Sequence, residues 1–293
     1  MLPSSECSPS RPSRTIDLDG FLTAALEEDL GEHGDVTSDA TIAEDTDVVA
    51  HMVVRADGCV AGLGVALRVF ELVDDELAIG ALATDGQVVA AGTRLATVTG
   101  SARSVLSAER LALNLLGQLS GVATATRALV DRIDGTNAQI IDTRKTTPLL
   151  RSLQKMAVAA GGGGNHRMGL FDQVLIKDNH VEAVGSAAEA VRRARAHVGD
   201  EMVVEVEIES LDDLEGVIEA GADVVMLDNM DPETMAEAVR RTGGRVQLEA
   251  SGGITLESVR AVAESGVDLI SVGWLTHSAP ALDVALDFET SAG

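Results

Sequence analysis

The lysines of this acidic sequence all lie within 33 residues of one another. The chain has only three lysines, Lys145, Lys155 and Lys177, and Arg144 and Arg167 lie in the same stretch. A guanidinium group is a planar fork that grips a carboxylate or a phosphate through two hydrogen bonds. Because several cations in one pocket repel one another, this stretch predicts a site whose ligand carries several negative charges.

A run of four glycines, residues 161–164, lies within this basic stretch and ends in Asn165, His166 and Arg167. A flexible linker between a helix and a strand is one interpretation of the run. The Asn-His-Arg sequence directly before a predicted strand instead favours a loop that brings further cations to the same pocket.

A second glycine-rich turn is a candidate for phosphate contacts. Ser251, Gly252 and Gly253 precede a helix that the pattern predicts to begin near Thr255, and a helix N-terminus favours phosphate. Gly273 follows the next predicted strand and would let the backbone approach the same phosphate. A plain strand-to-helix turn is the alternative interpretation.

Two carboxylates complete the set of residues that could do chemistry. Glu207 and Asp228 end neighbouring predicted strands, where they could bind ribose hydroxyls or hold Mg²⁺ together with water and the phosphates of a ligand. For Glu207 the alternative is that it belongs, with Glu205, to the excess of acidic surface residues. A metal cage made by the protein alone is not expected, because the remaining histidines, such as His33, His51 and His197, have no ligand spacing.

Composition and charge exclude several classes of protein. The 293 residues include 47 acidic and 22 basic side chains, for a net charge of −25, which disfavours nucleic acid and anionic membrane surfaces as partners. No apolar run is long enough to span a bilayer, and two scattered cysteines do not make a disulfide framework, so we expect a cytoplasmic protein. The acid excess and the near absence of lysine suggest adaptation to molar salt.

The first part of the chain predicts a small α+β unit. Residues 1–15 are expected to be a disordered tail, followed by an amphipathic helix that stops at Gly31 and a polar loop over residues 31–39. Short apolar runs between turns then predict antiparallel strands. A long helix over residues 104–119 is expected to end at Ser120-Gly121.

The rhythm changes to alternating strands and helices after about Gln139. This alternation predicts a parallel sheet with helices outside, either an open (β/α) barrel or a doubly wound sheet. In both folds the carboxyl ends of the strands meet at one edge. The predicted strands are residues 139–142, 174–177, 202–207, 223–228, 245–249 and 268–272, and the predicted helices are residues 149–159, 183–197, 211–220, 232–241 and 256–265.

Ordered motifs along the chain resemble those of quinolinate phosphoribosyltransferase. The longest is DTRKTTPLLRSLQKMAVAAGGGGNHRMGLFDQVLIKDNH, residues 142–180, followed by EVE, LDN, EASGGIT and ISVGWLTHS. Earlier segments, EEDLGEHGDVTS and ERLALNLLGQLSGVAT, also match, so the resemblance covers residues 16–290.

The resemblance implies a fold and a reaction. It implies an N-terminal α/β sandwich domain at residues 16–122, completed by residues 280–293, and an open α/β barrel at residues 123–279. It further implies a homodimer with shared active sites. The implied reaction joins quinolinate and phosphoribosyl pyrophosphate, with Mg²⁺ and no organic cofactor, to give nicotinate mononucleotide, pyrophosphate and CO₂ in NAD biosynthesis.

The resemblance also implies roles for individual residues. Arg110 would reach across the dimer to quinolinate, whose carboxylates would contact Arg144, His166, Arg167 and Lys177. The implied catalytic groups are Lys145 beside the pyrophosphate, Lys177, and Glu207 and Asp228 at the ribose and the metal. The implied phosphate contacts are Ser251, Gly252, Gly253 and Gly273 at the 5′-phosphate and His277 near the pyrophosphate.

Two residues of the long motif stand apart from these roles. Leu149 occupies a position where the family commonly has glycine, so the conformation of this loop is open. Lys155 lies four residues after Arg151 on a predicted helix and is expected to tune the field of the pocket from outside it.

Three other functions compete with this reaction. A paralogue would transfer phosphoribose to another acid. A Schiff-base aldolase would use Lys177, if an apolar setting lowered the pKa of its amine. A sensor would bind a pyridine or a phosphosugar without reacting.

Overall fold

The computed structural model of the chain describes residues 17–289, so the expected tail at residues 1–15 lies outside the described part. The strands are β1 Asp47–Val54, β2 Gly58–Cys59, β3 Ala78–Ala81, β4 Val88–Val89, β5 Arg94–Ser101, β6 Gln139–Ile141, β7 Val174–Ile176, β8 Val204–Ile208, β9 Val224–Asp228, β10 Gln247–Ser251, β11 Leu269–Ser271 and β12 Val284–Phe288. The helices are α1 Leu18–Leu30, α2 Val36–Thr41, α3 Leu63–Val73, α4 Ala102–Arg132, α5 Arg151–Ala160, α6 Asp178–Val184, α7 Ala187–Val198, α8 Leu214–Glu219, α9 Pro232–Thr242 and α10 Val259–Glu264, with a 3₁₀ turn at Gly273–Thr276.

An antiparallel sheet forms the N-terminal part of the molecule, with strand order β12-β1-β5-β3. The last strand, β12, pairs with β1, so the chain returns to this sheet after the second domain. Helix α1 ends at Gly31, as predicted. The expected polar loop over residues 31–39 is wrong in part, because the Asp35 carboxylate accepts from the N–H groups of Thr37 and Ser38 and thereby starts α2.

Helix α4 is longer than predicted. Its 31 residues run through Ser120-Gly121, where the sequence pattern placed its end. The Ser120 hydroxyl accepts from the N–H of Ala61 at 3.0 Å, and a Cβ at position 121 would collide with the carbonyl oxygen of Pro280. These small residues allow close packing in the middle of the helix and do not terminate it.

Six parallel strands form the second sheet, in the order β6-β11-β10-β9-β8-β7. Strands that follow one another in the chain are neighbours, except that β6 and β7 lie at opposite ends of the order. This is the strand order of a barrel that is open between β6 and β7, and it excludes the doubly wound alternative. Helix α6, which begins at Asp178 directly after β7, was not predicted, and the expected helix over residues 183–197 begins only at Ala187.

Alternation along the barrel strands separates an apolar outer face from a polar inner face. Val204, Val206 and Ile208 of β8 pack against the surrounding helices, whereas Glu205 and Glu207 point to the opposite side. The inner face therefore supplies polar side chains for a site at the carboxyl end. No helix among residues 17–289 combines the length and the apolar character needed to cross a membrane.

Candidate active site

A cavity of about 260 Å³ lies at the carboxyl ends of the barrel strands. Five basic residues predicted from the sequence line it. They are Arg144 and Lys145 after β6, His166 and Arg167 after the glycine run, and Lys177 after β7. The lining residues are Thr143, Arg144, Lys145, His166, Arg167, Leu175, Lys177, Met226, Glu249, Ser251 and Ser271.

Two guanidinium groups face this cavity, and one of them is incompletely bonded. The Nε of Arg144 is buried and has no hydrogen-bond partner among the described residues. Arg167 donates from Nη1 to the carbonyl oxygen of Gln173 at 3.1 Å. Burial and the neighbouring Arg144 lower the pKa of Arg167. Two guanidinium groups that face one cavity repel each other, so this arrangement suits an anionic ligand.

Lys177 reaches the cavity from the end of β7. Its Nζ lies 2.7 Å from Oε2 of Glu207, and the side chain of Lys177 is 47% exposed. The expectation of an apolar setting for Lys177 is therefore wrong, because the strand ends at the solvent-facing edge of the barrel. The amine is ion-paired and hydrated, which does not favour a Schiff-base nucleophile.

His166 lines the cavity, but both of its ring nitrogens are bonded within the protein. Nδ1 accepts from the N–H of Arg167 at 2.7 Å, and Nε2 lies 3.0 Å from Oε2 of Glu205 and 3.6 Å from Oε2 of Glu249. Burial lowers the pKa of the imidazole, which keeps it neutral with its proton on Nε2. In this geometry His166 presents its ring to the cavity and offers it no charge.

Two buried carboxyls, Glu205 and Glu249, lie behind His166 and were not singled out as site residues from the sequence. Burial raises the pKa of Glu205 to about 7 and that of Glu249 to about 8, so the coupled pair retains about one proton at neutral pH. The alternation of side chains along β8 and β10 could have identified both residues. Glu205 lies two residues before Glu207, and Glu249 two residues before Ser251, so each pair shares the inner face.

A smaller hollow of about 140 Å³ adjoins the cavity and shares Thr143, Lys145, Ser251 and Ser271 with it. The N–H groups of Gly252 and Gly253 donate to no other described residue. The hollow is lined by Thr143, Lys145, Ser251, Gly252, Gly253, Ile254, Ser271, Val272, Gly273, Trp274 and His277. Free backbone donors beside an ammonium group suit a phosphate.

Glycine is required at several positions of this hollow. Gly252 and Gly253 have φ values of 95° and 60°, which other residues rarely adopt. A Cβ at position 273 would lie 2.8 Å from Cδ of Lys145, so Gly273 makes room for the lysine to lie across both spaces. Trp274 donates from Nε1 to the carbonyl oxygen of Ile254 at 2.9 Å, which links the loop after β11 to the loop after β10.

The expected helix start near Thr255 is wrong. Helix α10 begins at Val259, after a turn in which Ser258 accepts from the N–H of Thr255 and Thr255 accepts from the N–H groups of Glu257 and Ser258. The side chains of this turn thus accept from the backbone N–H groups that a helix N-terminus would have offered to a phosphate. The free N–H groups of the hollow are those of Gly252 and Gly253.

Glu207 and Asp228 project from the adjacent strands β8 and β9. Asp228 lies level with Ser251 in the sheet, and its Oδ2 accepts from the side-chain amide of Asn229 at 2.5 Å. Each carboxylate retains one oxygen outside these contacts. Neither residue is among the lining of the two spaces, and Glu207 meets the cavity through its ion pair with Lys177. Oxygen donors of this kind fit Mg²⁺ that keeps most of its ligands from water and substrate.

Arg110 is not brought to this cavity within one chain. It lies on α4 beside a separate hollow with Asn114, Gly117 and Leu282, and its side chain is 67% exposed. An exposed arginine there is free to contact another molecule.

The fold and the site together are those of an α/β-barrel protein with two adjoining basic pockets that suit anionic ligands. Comparison with known families shows which one it is. The family described as quinolinate phosphoribosyl transferase matches this chain with its N-terminal domain at residues 35–120 and its C-terminal domain at residues 122–287. The chain belongs to this family.

Individual relatives agree over nearly the whole chain. The chain is 44% identical over 276 residues to the probable nicotinate-nucleotide pyrophosphorylase [carboxylating] of Bacillus subtilis, covering 94% of this chain and 95% of the relative. It is 46% identical over 271 residues to the Mycobacterium leprae protein named nicotinate-nucleotide pyrophosphorylase [carboxylating], covering 91% and 95% of the two chains. The solved nicotinate-nucleotide pyrophosphorylase from Francisella tularensis superposes with a TM-score of 0.89 at 41% identity, over 94% of this chain and 98% of that one.

Proposed function

We infer that this chain transfers phosphoribose from phosphoribosyl pyrophosphate to quinolinate, with decarboxylation. The products are nicotinate mononucleotide, pyrophosphate and CO₂, and the reaction belongs to NAD biosynthesis. Membership of the family and the names of relatives at more than 40% identity support this enzyme activity.

The observation that carries the proposal is the convergence of Arg144, Arg167 and Lys177 on one cavity at the carboxyl ends of the barrel strands. A carboxylate of quinolinate would pair with the guanidinium group of Arg144, and Arg167 and Lys177 would face the rest of the dianion. The two arginines then hold the ring nitrogen towards the anomeric carbon of the second substrate, which lowers the entropic cost of attack. His166, being neutral, would pack against the ring.

The phosphoribosyl pyrophosphate would lie across both spaces. Ser251, Gly252, Gly253 and Gly273 would surround its 5′-phosphate, and His277 would lie near the pyrophosphate. Lys145 reaches both spaces, so its ammonium group would stabilise the negative charge that develops on the leaving oxygen.

The metal of this reaction would be Mg²⁺, held by Glu207 and Asp228 mostly through water and substrate. When bound it would neutralise charge on the pyrophosphate. Glu207 also pairs with Lys177, so this carboxylate fixes the lysine that faces the acid. The two carboxylates would further accept hydrogen bonds from the ribose hydroxyls.

Charge determines the order of the two chemical events. Once the ring nitrogen carries the ribose it is cationic, and loss of the adjacent 2-carboxylate as CO₂ leaves a carbanion beside that positive nitrogen, which takes up a proton from water to give nicotinate mononucleotide. Decarboxylation should therefore follow substitution. No covalent nucleophile is required of the protein.

The assembly is proposed to be a homodimer in the cytoplasm. Arg110 is exposed and lies away from the cavity of its own chain, which supports a role at the site of a second copy. Such sharing would give each cavity a third guanidinium group for the acid.

An assay of the purified protein in molar salt tests the reaction. With phosphoribosyl pyrophosphate and Mg²⁺, quinolinate should give nicotinate mononucleotide and CO₂ in equal amounts, whereas nicotinate should give no product. Turnover of nicotinate would contradict the substrate assignment and favour a paralogue that uses another acid. Binding of both ligands without release of pyrophosphate would favour a sensor.

A further inference from the structure

The opening of the barrel is bridged by the segment that carries two residues of the acid pocket. Gly164 pairs with Ile141 at the end of β6, and its N–H donates to the carbonyl oxygen of Ile140 at 2.8 Å. Asn165, His166 and Arg167 follow along the edge of this strand. We refer to residues 164–167 as the strap.

The glycine run before the strap is tightly packed. A Cβ at position 161 would lie 2.5 Å from the carbonyl oxygen of Ala123, and one at position 163 would lie 2.8 Å from both Thr126 and Val158. These contacts leave no room for side chains. The interpretation of the run as a flexible linker is therefore wrong, and the strap is anchored at its start.

A buried ion pair lies beneath the strap. Lys155 on α5 bonds to Oδ1 of Asp142, which directly follows β6, and the two side chains are 1% and 0% exposed. Neither residue lines the cavity. Placing two charges in the protein interior is costly, and a pair of apolar side chains often stabilises a fold equally well.

The pair holds the backbone of His166 at both polar groups. Oδ1 of Asp142 accepts from the N–H of His166 at 2.8 Å, and Nζ of Lys155 donates to its carbonyl oxygen at 2.8 Å. The side-chain amide nitrogen of Asn165 adds bonds to Oδ2 of Asp142 at 2.7 Å and to the carbonyl oxygen of Lys155 at 2.9 Å. The strap thus has one position relative to β6.

We propose that Asp142 and Lys155 are positioning residues that set the affinity of the acid pocket through the strap. The proposal rests on the proposed function, because it concerns the quinolinate side of that site. The ion pair fixes His166, and Arg167 follows it directly, so loss of the pair displaces a guanidinium group that faces the acid. No residue of the strap lines the phosphate hollow, so displacement of the strap should leave phosphate binding largely intact.

The test compares binding of the two substrates by a Lys155→Met variant, which keeps most of the side-chain volume without the charge. We expect the dissociation constant of quinolinate to rise by about tenfold to a hundredfold, since small misplacements in a site have effects of this size. Binding of phosphoribosyl pyrophosphate should change by less than about twofold. An unchanged quinolinate constant, or an equal loss for both substrates, would overturn the proposal.

Two further variants keep the test decisive. If Lys155→Met does not fold, the double variant Asp142→Asn/Lys155→Met leaves no unpaired buried charge and should show the same selective loss. Val191→Ala, at a fully buried position on α7, is the control for lowered stability and should retain wild-type quinolinate binding. If the double variant also binds quinolinate normally, the proposal fails. Turnover of quinolinate by the wild-type protein tests the proposed function separately.

Discussion

Leu149 is an exposed residue in a backbone conformation that leucine rarely adopts. It has φ of 67°, in the left-handed region that favours glycine, and its side chain is 81% exposed. The backbone of the loop is thus of the kind that glycine adopts easily, at a position where the sequence left the conformation open. The strain is local, since the cations of the cavity lie on either side of it.

Replacing this residue should stabilise the protein. Leu149→Gly removes the left-handed strain and loses no packing, which outweighs the extra freedom that glycine has when unfolded. We expect the free energy of unfolding to rise by about 0.5–1 kcal/mol, measured by urea denaturation. Leu149→Ala retains the strain and should show no gain. A loss of stability in the glycine variant would contradict this explanation.

The buried carboxyl of Glu249 predicts a pH dependence of stability. Burial raises its pKa from 4.5 to about 8, so the folded chain binds more protons than the unfolded chain in this range. Stability should therefore fall as pH rises from 4.5 to about 8. His166 has its pKa lowered from 6.5 and acts in the opposite direction, so the range above pH 6.5 reports on the buried carboxyl pair, in which Glu249 is coupled to Glu205 with its pKa of about 7.

The measurement is the free energy of unfolding between pH 6.5 and 8 for the wild type and Glu249→Gln. The variant should have a shallower slope, by up to about 1.4 kcal/mol per pH unit, because one titrating proton is removed. Val191→Ala should lower stability without altering the slope. Equal slopes for the wild type and Glu249→Gln would refute the assignment.

At the scale of the elements, the parallel strands were predictable and their surroundings were less so. All six barrel strands lie within two or three residues of their predicted positions, because apolar runs between long helical segments are a strong pattern. The missed features depend on contacts remote in sequence. Gly121 is small because Pro280 packs on it, and the turn before α10 exists because Thr255 and Ser258 bond to its backbone.

The sequence predicted which charged side chains gather in the candidate site, but not the hydrogen bonds that they and their neighbours make. The cluster of Arg144, Lys145, Arg167 and Lys177 in sequence reaches one cavity in the structure. The sequence did not show that both ring nitrogens of His166 bond to neighbouring residues, or that Lys155 lies beneath the strap. Both features depend on side-chain geometry that no residue pattern contains.

The loop that contains Gly273 offers a prediction about the phosphate side. In Gly273→Ala the new Cβ would lie 2.8 Å from Cδ of Lys145 and displace that side chain. We expect kcat/KM for phosphoribosyl pyrophosphate to fall by about tenfold or more, with quinolinate binding retained. Gly64→Ala, where a Cβ meets nothing within 4 Å, is the matched control and should keep wild-type activity. Unaltered kinetics in Gly273→Ala would argue against a role of Lys145 at the leaving group.

At the scale of the whole molecule, a basic cavity lies within a chain of net charge −25. Repulsion among the acidic side chains is screened at molar salt, where the Debye length is about 3 Å. We therefore propose that high salt favours the folded assembly. The cations of the cavity are the exception to the acidic composition, and their positions are explained by the anions they would bind.

The proposed dimer predicts complementation between two inactive variants. Arg110→Ala and Lys145→Ala should each abolish most activity while remaining folded, since both residues would contact substrate. When the two are mixed and allowed to exchange subunits, about a quarter of the sites should regain activity, because each mixed dimer contains one intact shared site. An absence of recovery after verified exchange would show that Arg110 acts within its own chain or not at all.

The most direct test of the site is a crystal structure of the protein with quinolinate bound. The account predicts one carboxylate within hydrogen-bond distance of the Arg144 guanidinium group, with Arg167 on the same acid and the ring beside His166. Quinolinate bound elsewhere, or an Arg144 side chain that turns away from it into solvent, would contradict the central claim.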